Sequence, residues 1–292
     1  TISTGFDNDS YPAKLLLTNV PEEFGIYLKQ KAARLGVVVE EVSDVKNPPA
    51  ELIDDIVLLG GDPDLIEQVC PRLAYTGVLS VMADKPVSRK VKLDMGRVHY
   101  ERWVFTGAAT TDISDAYLKP AARSTLKPAG KVWFMGSGGP IGRMHVQRAV
   151  QLKDGPKAIL CTDLSKERVE VLEKTNTKEC NERSIRFQTL TRDQADYDQQ
   201  LTAFAGEGFD DIIVCAPSAD AIAEALPHLA SGGVINIFAG VAKNTFVEFD
   251  YSPSFLKGVR VIGFSGSTVE DMQITLDLIE AGEIAPNRLV AA

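Results

Sequence analysis

Residues 131–152 read KVWFMGSGGPIGRMHVQRAVQL, an apolar strand-like run that breaks into four glycines and a proline and reopens as an amphipathic helical pattern. A strand that turns through glycine into a helix lets a pyrophosphate approach the backbone and meet the first helical amides. Gly136, Gly138, Gly139 and Gly142 supply the glycines, with Ser137, Pro140 and Ile141 filling the loop. Two registers match: GxGxxxG counted from Gly136, or GxGxxG counted back from Gly142 with Ser137 in the first slot. Glycines alone also make ordinary tight turns, so the next strand matters. KAILCTD ends on Asp163, 24 residues past Gly139, where a dinucleotide fold places an acid on the ribose hydroxyls. A carboxylate there repels a 2′-phosphate and favours NAD over NADP, while Lys166 and Arg168 soften the preference. Asp163 also reads as a helix N-cap, since DLSKE has capping chemistry.

Working outward, short apolar runs alternate with helical patterns: KAILCTD, SKERVEVLEKT, SIRFQTL, QQLTAFAGEG, DDIIVCA, ADAIAEALPHLA, GVINIFA, VRVIGFS and a closing TVEDMQITLDLIEAG. Val- and Ile-rich strands, each followed by an amphipathic helix, imply a parallel sheet covered on both faces, an α/β doubly wound fold. Upstream, KLLLTNV, a helix over about 21–35, GVVVEEV, DDIVLLG, PDLIEQVCPRLA, GVLSVMA, RWVFTG and a helix over about 112–126 repeat the pattern with about five strands.

The two halves are related. Asp54 onward aligns with Asp210 onward at a constant offset of 156 residues, without gaps, giving 15 identities in the 62 pairs that start at positions 54–115. Ordinary residue frequencies would give about four. The chain therefore reads as a tandem duplication, a shortened, degenerate Rossmann-like domain over 1–126 followed by an NAD(P)-binding Rossmann domain over 127–292. Pro71 and its equivalent Pro227 fall inside helical patterns and imply a break in each. In the first half the turn reads TNVPEEFG. Its Glu22 and Glu23 complement the helix dipole and occupy the place an anion would take, so this turn is not expected to hold a dinucleotide.

Composition narrows the function classes. The chain has 292 residues, 45% hydrophobic and 24% charged, and a net charge of −9, which argues against a nucleic-acid partner. Lys119 to Lys157 nonetheless holds eight Lys or Arg against one acid, Asp154, a local excess beside the glycine loop that reads either as a solvated face or as a field for an anionic ligand. No apolar run reaches the ~18 residues of a membrane span, and no signal peptide precedes the first strand, so a cytoplasmic location is expected. Cys70, Cys161, Cys180 and Cys215 show no paired spacing and read as reduced core thiols.

The stretch from Leu126 to Ala292 resembles the nucleotide-binding half of the medium-chain dehydrogenase/reductase family, the zinc-type alcohol and polyol dehydrogenases, in its sorbose-1-phosphate reductase-like branch. GSGGPIG, CTDLSKERVEVLEK, DDIIVCAPSADAIAEALPHLASGGVINIFAG and GVRVIGFSGSTVEDMQITLDLIEAGEIAPNR carry the resemblance. It implies that the 136–142 loop holds the pyrophosphate, Asp163 the adenosine ribose and Arg168 the adenine flank. It further implies that Ala216, Pro217, Ala239, Gly240 and Ser265 line the nicotinamide side. His99, His145 and His228 are not spaced for a metal, so zinc is expected only from a missing catalytic domain or partner chain, and His145 reads as a helix-surface residue. Family dimers join through edge strands, so a homodimer is one expectation; RWVFTG and VRVIGFS are the equivalent edges here, and their pairing within one chain is another. The leading reading is the NAD(H)-binding portion of a dehydrogenase interconverting a secondary alcohol and a ketone, inactive alone. A non-catalytic NAD(H)-binding or redox-sensing protein and a purely structural tandem repeat are the alternatives.

Overall fold

The computed structural model describes residues 12–43, 52–118, 123 and 125–285. The first half runs β1 (Lys14–Leu17), α1 (Glu22–Leu35), β2 (Val38–Glu41), β3 (Ile53–Leu59), α2 (Pro63–Val69), β4 (Leu73–Met82), β5 (Val91–Asp94), α3 (Met95–Glu101), β6 (Val104–Ala108) and α4 (Asp115–Leu118). The second runs β7 (Lys131–Met135), α5 (Pro140–Gln151), β8 (Ala158–Asp163), α6 (Lys166–Glu182), β9 (Arg186–Thr191), α7 (Tyr197–Ala205) and β10 (Phe209–Val214). It continues through α8 (Ala219–Ala225), β11 (Leu229–Ile237), β12 (Phe246–Phe249), α9 (Ser252–Leu256), β13 (Arg260–Gly263) and α10 (Val269–Glu280).

Among the described residues, nine strands form one sheet in the order β3-β4-β6-β13-β11-β10-β7-β8-β9. From β9 to β13 every pairing is parallel, which is the doubly wound order 3-2-1-4-5-6. Alternation along each strand feeds two layers. Val132, Phe134, Ile159 and Cys161 bury on one face, and Trp133, Met135 and Leu160 on the other. Both faces are thus covered, as near-continuous apolar strands require.

The first half joins this sheet through β6, which pairs antiparallel with β13 as its edge sequence implied. The register is informative: Phe105 faces Val261, its own equivalent at the 156-residue offset. The two-stranded sheet of β5 and β12 repeats the relation, with Lys92 opposite Glu248 and the flanking pairs Val91–Phe249 and Leu93–Val247 exchanged symmetrically. Residue i meeting j while the equivalent of j meets the equivalent of i is the signature of an isologous, two-fold interface. Here it lies inside one chain.

Three details differ from the sequence reading. Strand β5 with helix α3, and their equivalents β12 with α9, were not anticipated, since four to seven residues are too few for a periodic signal. The paired β1 and β2 form a separate two-stranded sheet instead of extending the large one. Of the helix expected over 112–126, the described part is Asp115–Leu118; residues 119–122 and 124 lie outside the described set. Pro71 and Pro227 do end their helices, each inside a 3₁₀ turn, Cys70–Arg72 and Leu226–His228. The basic stretch beside the glycine loop is partly structural. Arg123 pairs with Asp211 at 2.6 Å and Lys127 with Asp210 at 2.5 Å, pinning the approach to β7 onto β10. Lys119 lies outside the described residues.

Candidate functional site

The glycine loop leaves the carboxyl end of β7, beside the point where strand order reverses between β7 and β10. Gly136 has φ +69°, and a Cβ there would lie 2.9 Å from the Ala216 amide nitrogen. A Cβ on Gly138 would strike Arg168 Cβ and come within 2.9 Å of Asp163 Oδ2, and one on Gly142 would lie 2.5 Å from Ser137 Cα. By contrast, the nearest atom to a Cβ on Gly139 is 3.7 Å away. The three glycines that cannot be replaced without displacement are therefore 136, 138 and 142. This selects the GxGxxxG register, one residue longer than the usual spacing. Ser137 is fully buried, and its hydroxyl donates to the Thr162 carbonyl at 3.1 Å, so it closes the turn.

Gly139 is the N-cap of α5 and Pro140 its first residue, with no side chain capping the free amides. That end of α5 is open to an anion. Across the loop, Asp163 accepts from the Gly138 amide (Oδ2, 2.8 Å) and the Ser165 amide (Oδ1, 3.0 Å). It is not the cap of α6. Ser165 holds that place, accepting from the Arg168 amide at 3.3 Å. Asp163 ties the two turns together while each oxygen keeps a further lone pair for a hydroxyl. The Arg168 side chain is exposed beside it. In the first half, Glu22 and Glu23 occupy the first turn of α1.

From the same edge a pocket of about 410 Å³ opens over β10, β11 and β13. Pro217, Ala239 and Gly240 line it with Ile141 of the first turn of α5. Ala216 sits behind, against Gly136, and the carbonyl of Ser265 accepts from Arg102 Nη2 at 2.8 Å while its neighbours Phe264 and Gly266 face the pocket. Cys215 adds a thiol whose pKa burial pushes up to about 12, so it stays protonated. His145 is half-buried, its ring edge-on to the pocket residue Phe238 at 4.4 Å, and burial lowers its pKa. It is a packing residue of the site more than a surface one. The sequence reading missed His99, which reaches this pocket from α3 in the other half of the chain. Only the two-fold register, invisible in a linear motif, brings it there.

The equivalent crevice of the first half is a pocket of about 570 Å³ lined by Leu59, Gly61, Met82, Ala83 and Asp84, the positions matching Cys215, Pro217, Phe238, Ala239 and Gly240. Asp84 puts a carboxylate where the second half has Gly240.

Comparisons with known proteins bear on the second half. Residues 140–281 match the family model described as zinc-binding dehydrogenase. The uncharacterized protein YggP of Escherichia coli (strain K12) is 28% identical over 172 residues, 58% of this chain and 40% of that protein. L-sorbose 1-phosphate reductase of Klebsiella pneumoniae is 25% identical over 166 residues, 56% of this chain and 40% of that protein. Among solved structures, 2R,3R-butanediol dehydrogenase from Bacillus subtilis aligns at 19% identity with a TM-score of 0.46, over 59% of this chain and 45% of that one. The matched stretch thus spans about 40% of the length of the curated relatives.

Proposed function

We propose, from the zinc-binding dehydrogenase domain that residues 140–281 carry, that the carboxyl edge of the second-half sheet binds a nicotinamide dinucleotide. On this reading the chain is the cofactor-holding part of an alcohol or polyol dehydrogenase, in which hydride passes between a secondary alcohol carbon and the nicotinamide ring. The observation that carries it is the uncapped N-terminus of α5 behind a loop whose glycines 136, 138 and 142 admit no Cβ. Gly136 to Gly142 take the pyrophosphate and Asp163 the adenosine ribose hydroxyls. Arg168 flanks the adenine, and Ala216, Pro217, Ala239, Gly240 and Ser265 form the nicotinamide side.

The same reading divides the chain into a degenerate repeat over 1–126 and the cofactor domain over 127–292. Among the described residues no three His, Cys, Asp or Glu side chains converge, so a zinc centre and the substrate site are assigned to the portion of the relatives that this chain does not span. Helix α10, exposed over most of its length with Val269 and Met272 uncovered, supports contact with such a portion. A homodimer through β13 is disfavoured because β6 already occupies that edge.

Asp163 favours NAD(H) over NADP(H). Trp133, buried under the loop with Nε1 donating to Thr162 at 2.9 Å, gives a fluorescence readout. Titration with NADH is expected to quench it saturably below millimolar concentration, with NADPH weaker, and Gly138→Val is expected to abolish the response. No response to either cofactor at millimolar concentration would overturn the reading.

A further inference from the structure

His99 belongs to the half of the chain that lacks a glycine loop, yet it stands in the wall of the pocket that the other half builds. Its placement is fixed by close backbone contact. Asp94 caps α3, accepting from the Gly96 and Arg97 amides at 3.0 and 3.2 Å. A Cβ on Gly96 would meet the Lys243 amide nitrogen at 2.7 Å, and one on Gly263 would meet His99 Cα at 2.7 Å. Two glycines, one in each half, thus let α3 press against both the 242–243 loop and β13. Arg102 locks the far end, with its guanidinium 4.1 Å from the Phe264 ring centre and Nη2 on the Ser265 carbonyl.

The imidazole itself is buried, with Nδ1 3.0 Å from the Ile237 carbonyl and the Tyr100 ring edge-on at 4.6 Å. A carbonyl oxygen only accepts, so Nδ1 carries a proton, and in the neutral imidazole Nε2 then holds the lone pair. The other side chains of the lining offer carbon and one protonated thiol. Nε2 is therefore the one strong side-chain acceptor among the described residues that line this pocket.

We propose that His99 Nε2 accepts a hydrogen bond from the carboxamide amino group of the dinucleotide's nicotinamide ring, so that the degenerate repeat completes the cofactor pocket of its neighbour. This rests on the assignment of the glycine loop to the pyrophosphate. The carboxamide is the ring's hydrogen-bonding substituent, and a single side-chain acceptor among apolar side chains biases which way the ring faces.

Calorimetric titration of the whole chain with three probes tests it: NADH, ADP-ribose, which lacks the ring, and the 3-acetylpyridine analogue of NADH, which lacks the amino group. His99→Leu is expected to weaken NADH roughly tenfold, the loss of one buried hydrogen bond. ADP-ribose should be unchanged and the acetylpyridine analogue changed by less than about twofold, and His99→Gln, whose side-chain oxygen also accepts, should recover part of the NADH affinity. Equal NADH affinity in wild type and His99→Leu, or equal losses for NADH and the acetylpyridine analogue, would overturn the proposal while ADP-ribose binding left the pyrophosphate assignment standing. Loss of ADP-ribose binding in both variants would make His99 a purely structural residue and also overturn it. A wild-type chain that binds neither NADH nor ADP-ribose sinks both readings.

Discussion

At the residue scale, the glycine loop separates conformational need from steric need. Gly139 has φ −71°, a value any residue adopts, and the nearest atom to a Cβ there is the Gly136 carbonyl oxygen at 3.7 Å, so neither conformation nor packing requires glycine at this position. Gly142 is the reverse: its missing Cβ is filled by the backbone of Gly136 and Ser137, which cannot swing aside like a flexible side chain. Gly142→Ala is therefore expected to lower stability by about 1–3 kcal/mol through overpacking. Gly139→Ala should cost less, under about 1 kcal/mol, because no atom is displaced and only the preference for glycine over alanine at an N-cap is lost. Urea denaturation of both variants checks the pair, and similar midpoints for the two would overturn the GxGxxxG register. The glycine run and Asp163 were legible in the sequence because they follow apolar strands at the spacing a phosphate-binding turn requires. Which glycine does what was not, because that depends on Ala216, Arg168 and Asp163, which approach from other elements. The alternative reading of Asp163 as the cap of α6 fails for a related reason. DLSKE contains two residues able to cap, and only the position of the Gly138 amide shows that Asp163 is engaged elsewhere.

At the element scale, long strands and helices were legible and short ones were not. Helices α5 and α6 and strands β7, β8 and β10 each carry enough apolar positions to declare their period. The elements α3 and α9 have seven and five residues, and their stability comes from packing across the two-fold axis. Tyr251, leading into α9, shares its single hydroxyl proton between the Leu79 and Thr106 carbonyls of the opposite half, at 3.0 and 3.1 Å. A local pattern cannot report such a partner. The segment leading into β7 illustrates the same dependence. Asp211 on β10 is buried, and burial raises its pKa against the lowering effects of Arg123 and the Lys127 amide, so its charge is costly and held by those partners. Removing one member of such a pair leaves the other unmatched in a low-dielectric site. Asp211→Ala is expected to destabilise the chain by about 3 kcal/mol. The double variant with Arg123→Leu should recover part of that loss. A thermal-melt cycle of the two single variants and the double measures it, and an additive double variant would show that the pair carries no coupling.

At the scale of the whole molecule, the palindromic core order β3-β4-β6-β13-β11-β10 makes the chain its own dimer. Strand edges left unpaired invite association, and here each half covers the other's edge. The two halves are not interchangeable at the axis, however. In the small sheet, the residues that face each other on the pseudo-dyad are Lys92 and Glu248, a complementary pair. Two copies of the second half meeting in the same register would place Glu248 against Glu248, and like charges directly opposed across strands cost about 0.2–1 kcal/mol per pair. Val261, facing its own copy in β13, would carry no such penalty. The first half thus supplies a charge the second half cannot supply to itself. The consequence falls on residues 127–292 expressed alone. The fragment should self-associate through β13 and β12, and Glu248→Lys should not help because it restores a like-charge pair. Glu248→Thr should tighten the dimer several-fold, since it removes the repulsion and leaves a strand-compatible side chain. Sedimentation equilibrium at several ionic strengths decides it. Added salt should strengthen the unmodified dimer by screening and leave the threonine variant unchanged. A folded fragment that stays monomeric at every salt concentration would mean that the intrachain pairing depends on contacts beyond these two strand pairs.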